Sequence, residues 1–162
     1  MSTAALNGVV IVPFSAERAP DFRRINAEWI ERFFSIEPKD SAILDNPQSY
    51  IIDAGGEIFF AVDGDEVLGT CAVRPEGGGR AELSKMGVTP RAQGRGIGRL
   101  LIEAVLDWFR ASGQQVLFLE SHRSLGPALK LYESAGFQHA ERPDVSAYER
   151  CDVYMEWAPP GA

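Results

Sequence analysis

The chain has 162 residues and a mass of 17.7 kDa, with 45% hydrophobic and 24% charged residues, a net charge of −7 and a pI near 4.9. That length suits one domain, with a core over about residues 8–158 and a tail at 159–162, and the acidic balance argues against nucleic acid as the main partner, where affinity rests on neutralised phosphates. No apolar run approaches the ~18 residues that cross a membrane, and Met1 to Gly8 lacks the basic start of a secretory leader, so a cytoplasmic protein is expected.

Val9 to Phe14 is an apolar, β-branched run that predicts a first strand. Ala19-Pro20-Asp21 opens a helix, with proline near the first helical position. Phe22, Ile25, Trp29, Ile30 and Phe33 give that helix an apolar stripe, which usually marks a core face. Pro38 ends the break that follows, and a short helix is expected from Asp40 to Leu44. Asn46-Pro47 launches a further turn or two, closed by Gly55-Gly56. Glu57 to Val62 and Glu66 to Val73 read as strands joined by the tight turn Asp63-Gly64-Asp65. Cys71 and Cys151 are isolated and have no C-x-x-C partner, so two reduced thiols are expected.

The central stretch runs from Glu82 to Gly98. Leu83, Met86 and Val88 alternate imperfectly before Pro90 stops the run, which predicts a strand ending in a turn. Gly94, Gly96 and Gly98 follow, interleaved with Arg91, Arg95 and Arg99. Ile97, Leu100, Leu101, Ala104, Val105, Trp108 and Phe109 then recur at helical spacing up to Ser112-Gly113. Strand, glycine turn and helix together make an anion cradle. Glycine lets backbone approach a ligand, and the first helical amides have no internal partners and sit at the positive end of the helix dipole.

Known phosphate loops discriminate among the possible anions. A nucleotide P-loop needs Gly-Lys-Ser/Thr, and Gly98 is followed by Arg99-Leu100. The dinucleotide fingerprint is a nearer miss: Gly94 and Gly96 fit, Arg99 replaces the third glycine, and Thr89 to Gln93 separate strand from glycines. Val116 to Glu120 is the next strand, Gly126-Pro127 to Gly136 the next helix, and Phe137 onward with Asp152 to Trp157 a closing hairpin.

Arg91-Ala92-Gln93-Gly94-Arg95-Gly96, an Arg/Gln-x-x-Gly-x-Gly/Ala pattern after Val88-Thr89-Pro90, resembles the cofactor signature of the GNAT acyl-CoA-dependent N-acetyltransferases. Ala128 to Phe137 is similar to that family's late helix and its exit. The resemblance implies an α/β (α+β) fold with a mixed, mostly antiparallel sheet of about seven strands flanked by helices. Two central strands, those of Glu82 and Phe118, would splay apart to admit acetyl-CoA. Backbone groups of Met86, Gly87 and Val88 would pair with its pantetheine arm, and Arg91, Gln93, Gly94, Arg95, Gly96, Ile97, Gly98 and Arg99 would hold its phosphates. The early helical pair would form one wall of the acceptor site. Family habit also implies pairing of two copies through the closing hairpin.

Acetyl transfer to an amine needs a neutral nucleophile, although free amines have pKa values of ~8 to ~10.4, so a base or a desolvated site is required. The resemblance gives Tyr132 the role of acid toward the departing sulfur, where helical spacing alone allows a packed aromatic. It gives Glu82 the role of base, with Glu120 and His122 as alternatives at the end of the neighbouring strand. One departure from the family pattern is Leu125, where many members carry an asparagine; Ser121, Ser124 or Arg123 would have to replace that contact. The expected reaction moves acetyl from acetyl-CoA to a primary amine of a small molecule, amino acid or peptide. A non-catalytic acyl-CoA sensor on the same fold is the alternative. For the acceptor, Trp29, Phe33 and Phe34 suggest an apolar pocket, Glu28, Glu31 and Glu37 suggest a cation, and Arg123 suggests an acceptor carboxylate.

Overall fold

The computed structural model describes residues 5, 6 and 8–158; the tail expected at 159–162, and most of the Met1–Gly8 stretch read for a leader, lie outside the described residues. The elements run β1 (Ala5–Leu6), β2 (Val9–Pro13), α1 (Ala19–Phe33), α2 (Pro38–Asp45), a π turn (Gln48–Ile52), β3 (Glu57–Asp63), β4 (Glu66–Gly77) and β5 (Arg80–Val88). They continue with α3 (Ile97–Ser112), β6 (Val116–Ser121), α4 (Gly126–Ala135), β7 (Phe137–His139) and β8 (Val153–Trp157). The strands form one eight-stranded sheet in the order β1-β2-β3-β4-β5-β6-β8-β7. Pairing is antiparallel except between β5 and β6. The strand beyond the expected seven is the two-residue β1.

Two apolar layers cover the two faces of the sheet. Leu101, Ile102, Val105 and Phe109 of α3 pack with Leu83, Leu117 and Met155 on one face. Phe22, Ile25 and Ile30 of α1 pack with Ile43, Leu44, Ile58 and Phe60 on the other. The α1 stripe extends only partly into this core, because Phe33 at its end is 52% exposed.

Two irregularities shape the middle of the sheet. The first is the splay. β5 and β6 pair only over Arg80–Val116, Ala81–Leu117 and Glu82–Phe118; beyond that rung β5 stays with β4 and β6 with β8, so their remaining backbone edges face each other without bonding. The second is a bulge in β5. Register shifts between Thr70–Gly87 and Ala72–Ser84, and Lys85 takes the left-handed value φ +52°. An extra residue flips the side-chain phase of a strand. Ala81 and Leu83 therefore face α3 before the bulge, and Met86 and Val88 face it afterwards. This explains the imperfect alternation of the sequence. Lys85 is turned instead toward α2.

Candidate active site

The gap between β5 and β6 opens into a cavity of about 600 Å³. Tyr132 of α4, Glu82 of β5 and the glycine turn before α3 all line it. One half of the cavity is built from backbone and the other from charged and aromatic side chains.

The glycine half follows β5 directly. Pro90–Ala92 form a single 3-10 turn, after which Gly94 and Gly96 take φ values of +82° and +79°, a left-handed backbone that favours glycine. The first helical bond of α3 runs from the Leu100 N–H to the Gly96 carbonyl at 3.3 Å, so the preceding amides have no partner inside the helix. A Cβ at Gly94 would meet nothing within 4 Å, leaving open space above the turn. At Gly98 a Cβ would stand 2.8 Å from Leu131 Cδ2, so this glycine allows α3 and α4 to approach. Successive backbone amides in such a turn form an anion-binding concavity, and the residues present fit a diphosphate. The arginines meet carboxylates of the chain itself: Arg91 meets Glu66, Arg95 lies 3.8 Å from Asp63, and Arg99 donates to Glu103 and Ser134. Gln93 donates its amide to the Val88 carbonyl at 3.1 Å, clamping the turn to the strand end. Met86, Gly87 and Val88 line the cavity from β5, and Gly87 is held without a side chain because Trp29 would lie 2.8 Å from its Cβ.

Tyr132 is buried with its ring edge-on to Phe137 at 6.0 Å. Burial pushes its phenol well above the ordinary tyrosine range, so the hydroxyl keeps its proton at neutral pH. Leu125, Ser121 and Ser124 also line the cavity, whereas Arg123 is 84% exposed at its side chain and reaches Asp152 at 3.4 Å, away from the wall.

In the other half, Glu82 is 9% exposed. Burial, opposed by Lys39 and reinforced by the charges of Glu76 and Glu120, raises its carboxyl to about 7. Glu120 lies nearby on β6 and is paired to Arg142 at 3.3 Å. His122, which as a lone histidine beside an arginine reads as a surface residue, is on the cavity wall. Its Nδ1 lies 2.7 Å from the Ser124 hydroxyl, and its ring meets Phe34 edge-on at 5.2 Å. Trp29, Phe33 and Phe34 of the α1 end complete this side, so the aromatic stripe divides between core and cavity. Buried Asn26 orients Trp29, accepting its indole N–H at 3.0 Å while its own amide donates to the Phe22 carbonyl.

Behind these groups lies a buried ionic cluster that sequence reasoning missed. Asp40 of α2 is fully buried and accepts Lys85 Nζ at 2.7 Å and both terminal nitrogens of Arg150 at 2.7 Å. Arg150 also reaches Glu37 at 3.1 Å, and Lys85 donates to the Tyr148 hydroxyl at 2.9 Å. Burial alone would raise the Asp40 carboxyl, but Arg150 and Lys85 overcome it and hold the group down at about 2. The cluster ties the β5 bulge, α2 and the segment before β8 into one wall. The break in the alternation of Leu83, Met86 and Val88 around Lys85 was the one visible signal of it; Tyr148 and Arg150 carry no local pattern.

Cys71 is buried and Cys151 partly so, and both are free. Burial pushes the Cys151 thiol up to about 11, which keeps it protonated at neutral pH.

Comparison with known proteins agrees with this geometry. The model of the acetyltransferase (GNAT) family matches residues 21–137. An uncharacterized N-acetyltransferase of Schizosaccharomyces pombe is 26% identical over 138 residues, covering 80% of this chain and 85% of that protein. A mycothiol acetyltransferase of Clavibacter sepedonicus is 30% identical over 137 residues, 82% of this chain but 44% of the relative. The [ribosomal protein bS18]-alanine N-acetyltransferase of Salmonella typhimurium is 42% identical over 60 residues, 37% of this chain and 40% of that protein. The chain thus spans less than half the length of these last two. A GNAT-family acetyltransferase structure from Staphylococcus aureus superposes with a TM-score of 0.83 at 16% identity, covering 92% of this chain and 98% of that one, a likeness of fold. The splayed strands, the glycine turn and the family match converge: the chain belongs to the GNAT family of acetyltransferases.

Proposed function

We propose that the protein transfers acetyl from acetyl-CoA to a primary amine while both substrates are bound in the cavity between β5 and β6. The observation that carries the reading is the shared wall: a buried carboxyl with a raised pKa, a buried phenol and an amide-rich glycine turn all face one space.

Backbone amides from Gln93 to Gly98 would hold the diphosphate, with Arg91, Arg95 and Arg99 exchanging their carboxylate partners for phosphate. The unpaired edge of β5 at Met86, Gly87 and Val88 would take the pantetheine arm. Bound acetyl-CoA supplies a thioester carbonyl as the electrophile. Glu82, with a pKa about 7, accepts a proton from the incoming ammonium and leaves a neutral amine. As the new N–C bond forms and the C–S bond breaks, Tyr132 gives its proton to the sulfur and regains one from the nitrogen side through solvent. The base role asks for a pKa near the working pH, which burial gives Glu82, and the acid role asks for a group that still carries its proton, which Tyr132 does.

Thiol release from acetyl-CoA over a panel of amines tests this directly. Amine-dependent release that is lost in Glu82→Gln is expected. Tight coenzyme binding with no release for any amine would support a non-catalytic acyl-CoA sensor instead.

A further inference from the structure

The charged groups of the acidic half pair almost completely among themselves. Asp40 is taken by Lys85 and Arg150, Glu37 by Arg150, Glu120 by Arg142 and Asp152 by Arg123. His122 is held between Ser124 and Asp152, its Nε2 3.6 Å from the carboxylate. Lys85 and Arg150 are the cationic side chains of this half's wall among the described residues, and their side chains are 3% and 10% exposed. Lys39 and Arg32 lie outside the wall, stacked over Tyr148 and Phe33 at 5.1 Å each. Arg99 belongs to the glycine half. Glu82 is left as the carboxylate of this wall without an ion pair among the described residues, with Lys39 and Lys85 acting on it only through space. The surface around it is aromatic, with Phe34, Trp29 and the exposed ring of Phe33 toward solvent.

We propose that this half of the cavity selects a primary amine carried on an apolar, arene-like arm with no carboxylate beside the amine. The assignment rests on the acetyltransferase reading and deepens it. The ammonium meets Glu82, and the arm lies against Phe33, Phe34 and Trp29, where ring–ring and cation–ring contacts reward it. A carboxylate on the carbon next to the amine would enter a desolvated space beside Glu82 and Glu120, where the two cations of the wall, Lys85 and Arg150, would have to leave buried Asp40 to meet it, while Lys39 and Arg32 stay outside over their rings. Like charges placed together in this way are strongly disfavoured. Free amino acids are thereby rejected. Arg123, offered by the sequence as a carboxylate holder, reaches Asp152 and lies outside the wall.

The test compares phenethylamine, phenylalanine and ethanolamine at saturating acetyl-CoA, reading kcat/KM by thiol release and, separately, the thermal shift each gives to the coenzyme A-loaded protein. Phenethylamine is expected to exceed phenylalanine by at least about 30-fold, the scale of a like-charge clash, and to exceed ethanolamine by about tenfold, the scale of a buried apolar arm. Only phenethylamine is expected to raise the melting temperature. In Asp40→Asn, which releases Lys85 and Arg150, the phenethylamine-to-phenylalanine ratio is expected to shrink; the wild-type comparison decides the matter even where that variant folds poorly. Phenylalanine turned over or bound as well as phenethylamine overturns the selectivity while leaving the acetyltransferase reading standing, as does preference for ethanolamine. A thermal shift from phenethylamine alone, with no thiol released, supports the selectivity and overturns the catalytic reading. No shift and no turnover with phenethylamine overturns the selectivity.

Discussion

The two halves of the cavity are built in opposite ways. The glycine half comes from one contiguous stretch, Val88 to Arg99, and its chemistry is in the backbone. Its charged side chains are exposed, as with the Arg91–Glu66 pair, whose side chains are 60% and 53% exposed. The acidic half is assembled from α1, α2, the β5 bulge, the end of β6 and the segment before β8, and its charges are buried. A ligand held by backbone amides needs only a local turn, which any fold can carry on one loop. A carboxyl tuned to a pKa near neutrality needs burial on all sides, which one loop cannot supply.

That contrast predicts a graded set of responses. Asp40→Ala strands Lys85 and Arg150 in a buried site. It should cost on the order of 3–5 kcal/mol of stability, read as a shift in the urea midpoint; a loss under about 1 kcal/mol would mean the cluster is solvated in solution.

Glu82→Gln should lower kcat/KM by about 10²–10⁴-fold, the usual range for general acid–base catalysis. Wild-type kcat/KM should fall as pH drops through about 7, where Glu82 protonates, and this limb should vanish in the variant. A limb that survives in Glu82→Gln would reassign the base to Glu120, His122 or water. The same residue sets a stability trend. Its folded pKa, about 7, exceeds the ordinary 4.5, so its contribution is fully present below pH 4.5 and is lost as pH rises through about 7. Wild type should therefore lose stability relative to Glu82→Gln across that window.

Tyr132→Phe should reduce kcat by about 10²-fold and leave coenzyme affinity unchanged, since the hydroxyl is asked for only as the sulfur departs. Equal losses in both would make the ring a packing group. The smallest response is expected from Glu66→Gln in the glycine half, which should leave the unfolding midpoint in place because its pair with Arg91 is screened by solvent.

Legibility in the sequence follows the same division. The glycine turn, α3 and the late helix were readable because their signals lie within a few residues of one another: left-handed glycines, a helical stripe, and Gly136 at the end of α4. The mixed, mostly antiparallel sheet and the opening of β5 from β6 came from family resemblance, since no spacing in a single chain encodes which edges separate; the strand order came from the structure alone. Tyr132 and Glu82 were legible only as family positions; what the structure adds is that both face the cavity and that burial shifts both pKa values upward. The Asp40–Lys85–Arg150 cluster was not legible. Its members are separated by up to 110 positions, and each alone looks like an ordinary surface charge. The bulge at Lys85 left a trace, the broken alternation of Leu83, Met86 and Val88, but a phase slip in a strand shows that something shifts without showing what the shifted side chain meets.

The central claim is that the turn from Gln93 to Gly98 grips the diphosphate of coenzyme A within the β5–β6 gap. Calorimetric titration of coenzyme A into the wild type and Gly94→Ala tests it most directly. Forcing a side chain onto a φ of +82° distorts the turn and fills its open face, at a cost of about 1–2 kcal/mol. Saturable one-to-one binding by the wild type, weakened by about tenfold in Gly94→Ala, is the predicted result. No heat of association, or equal affinity in the two proteins, would contradict the account.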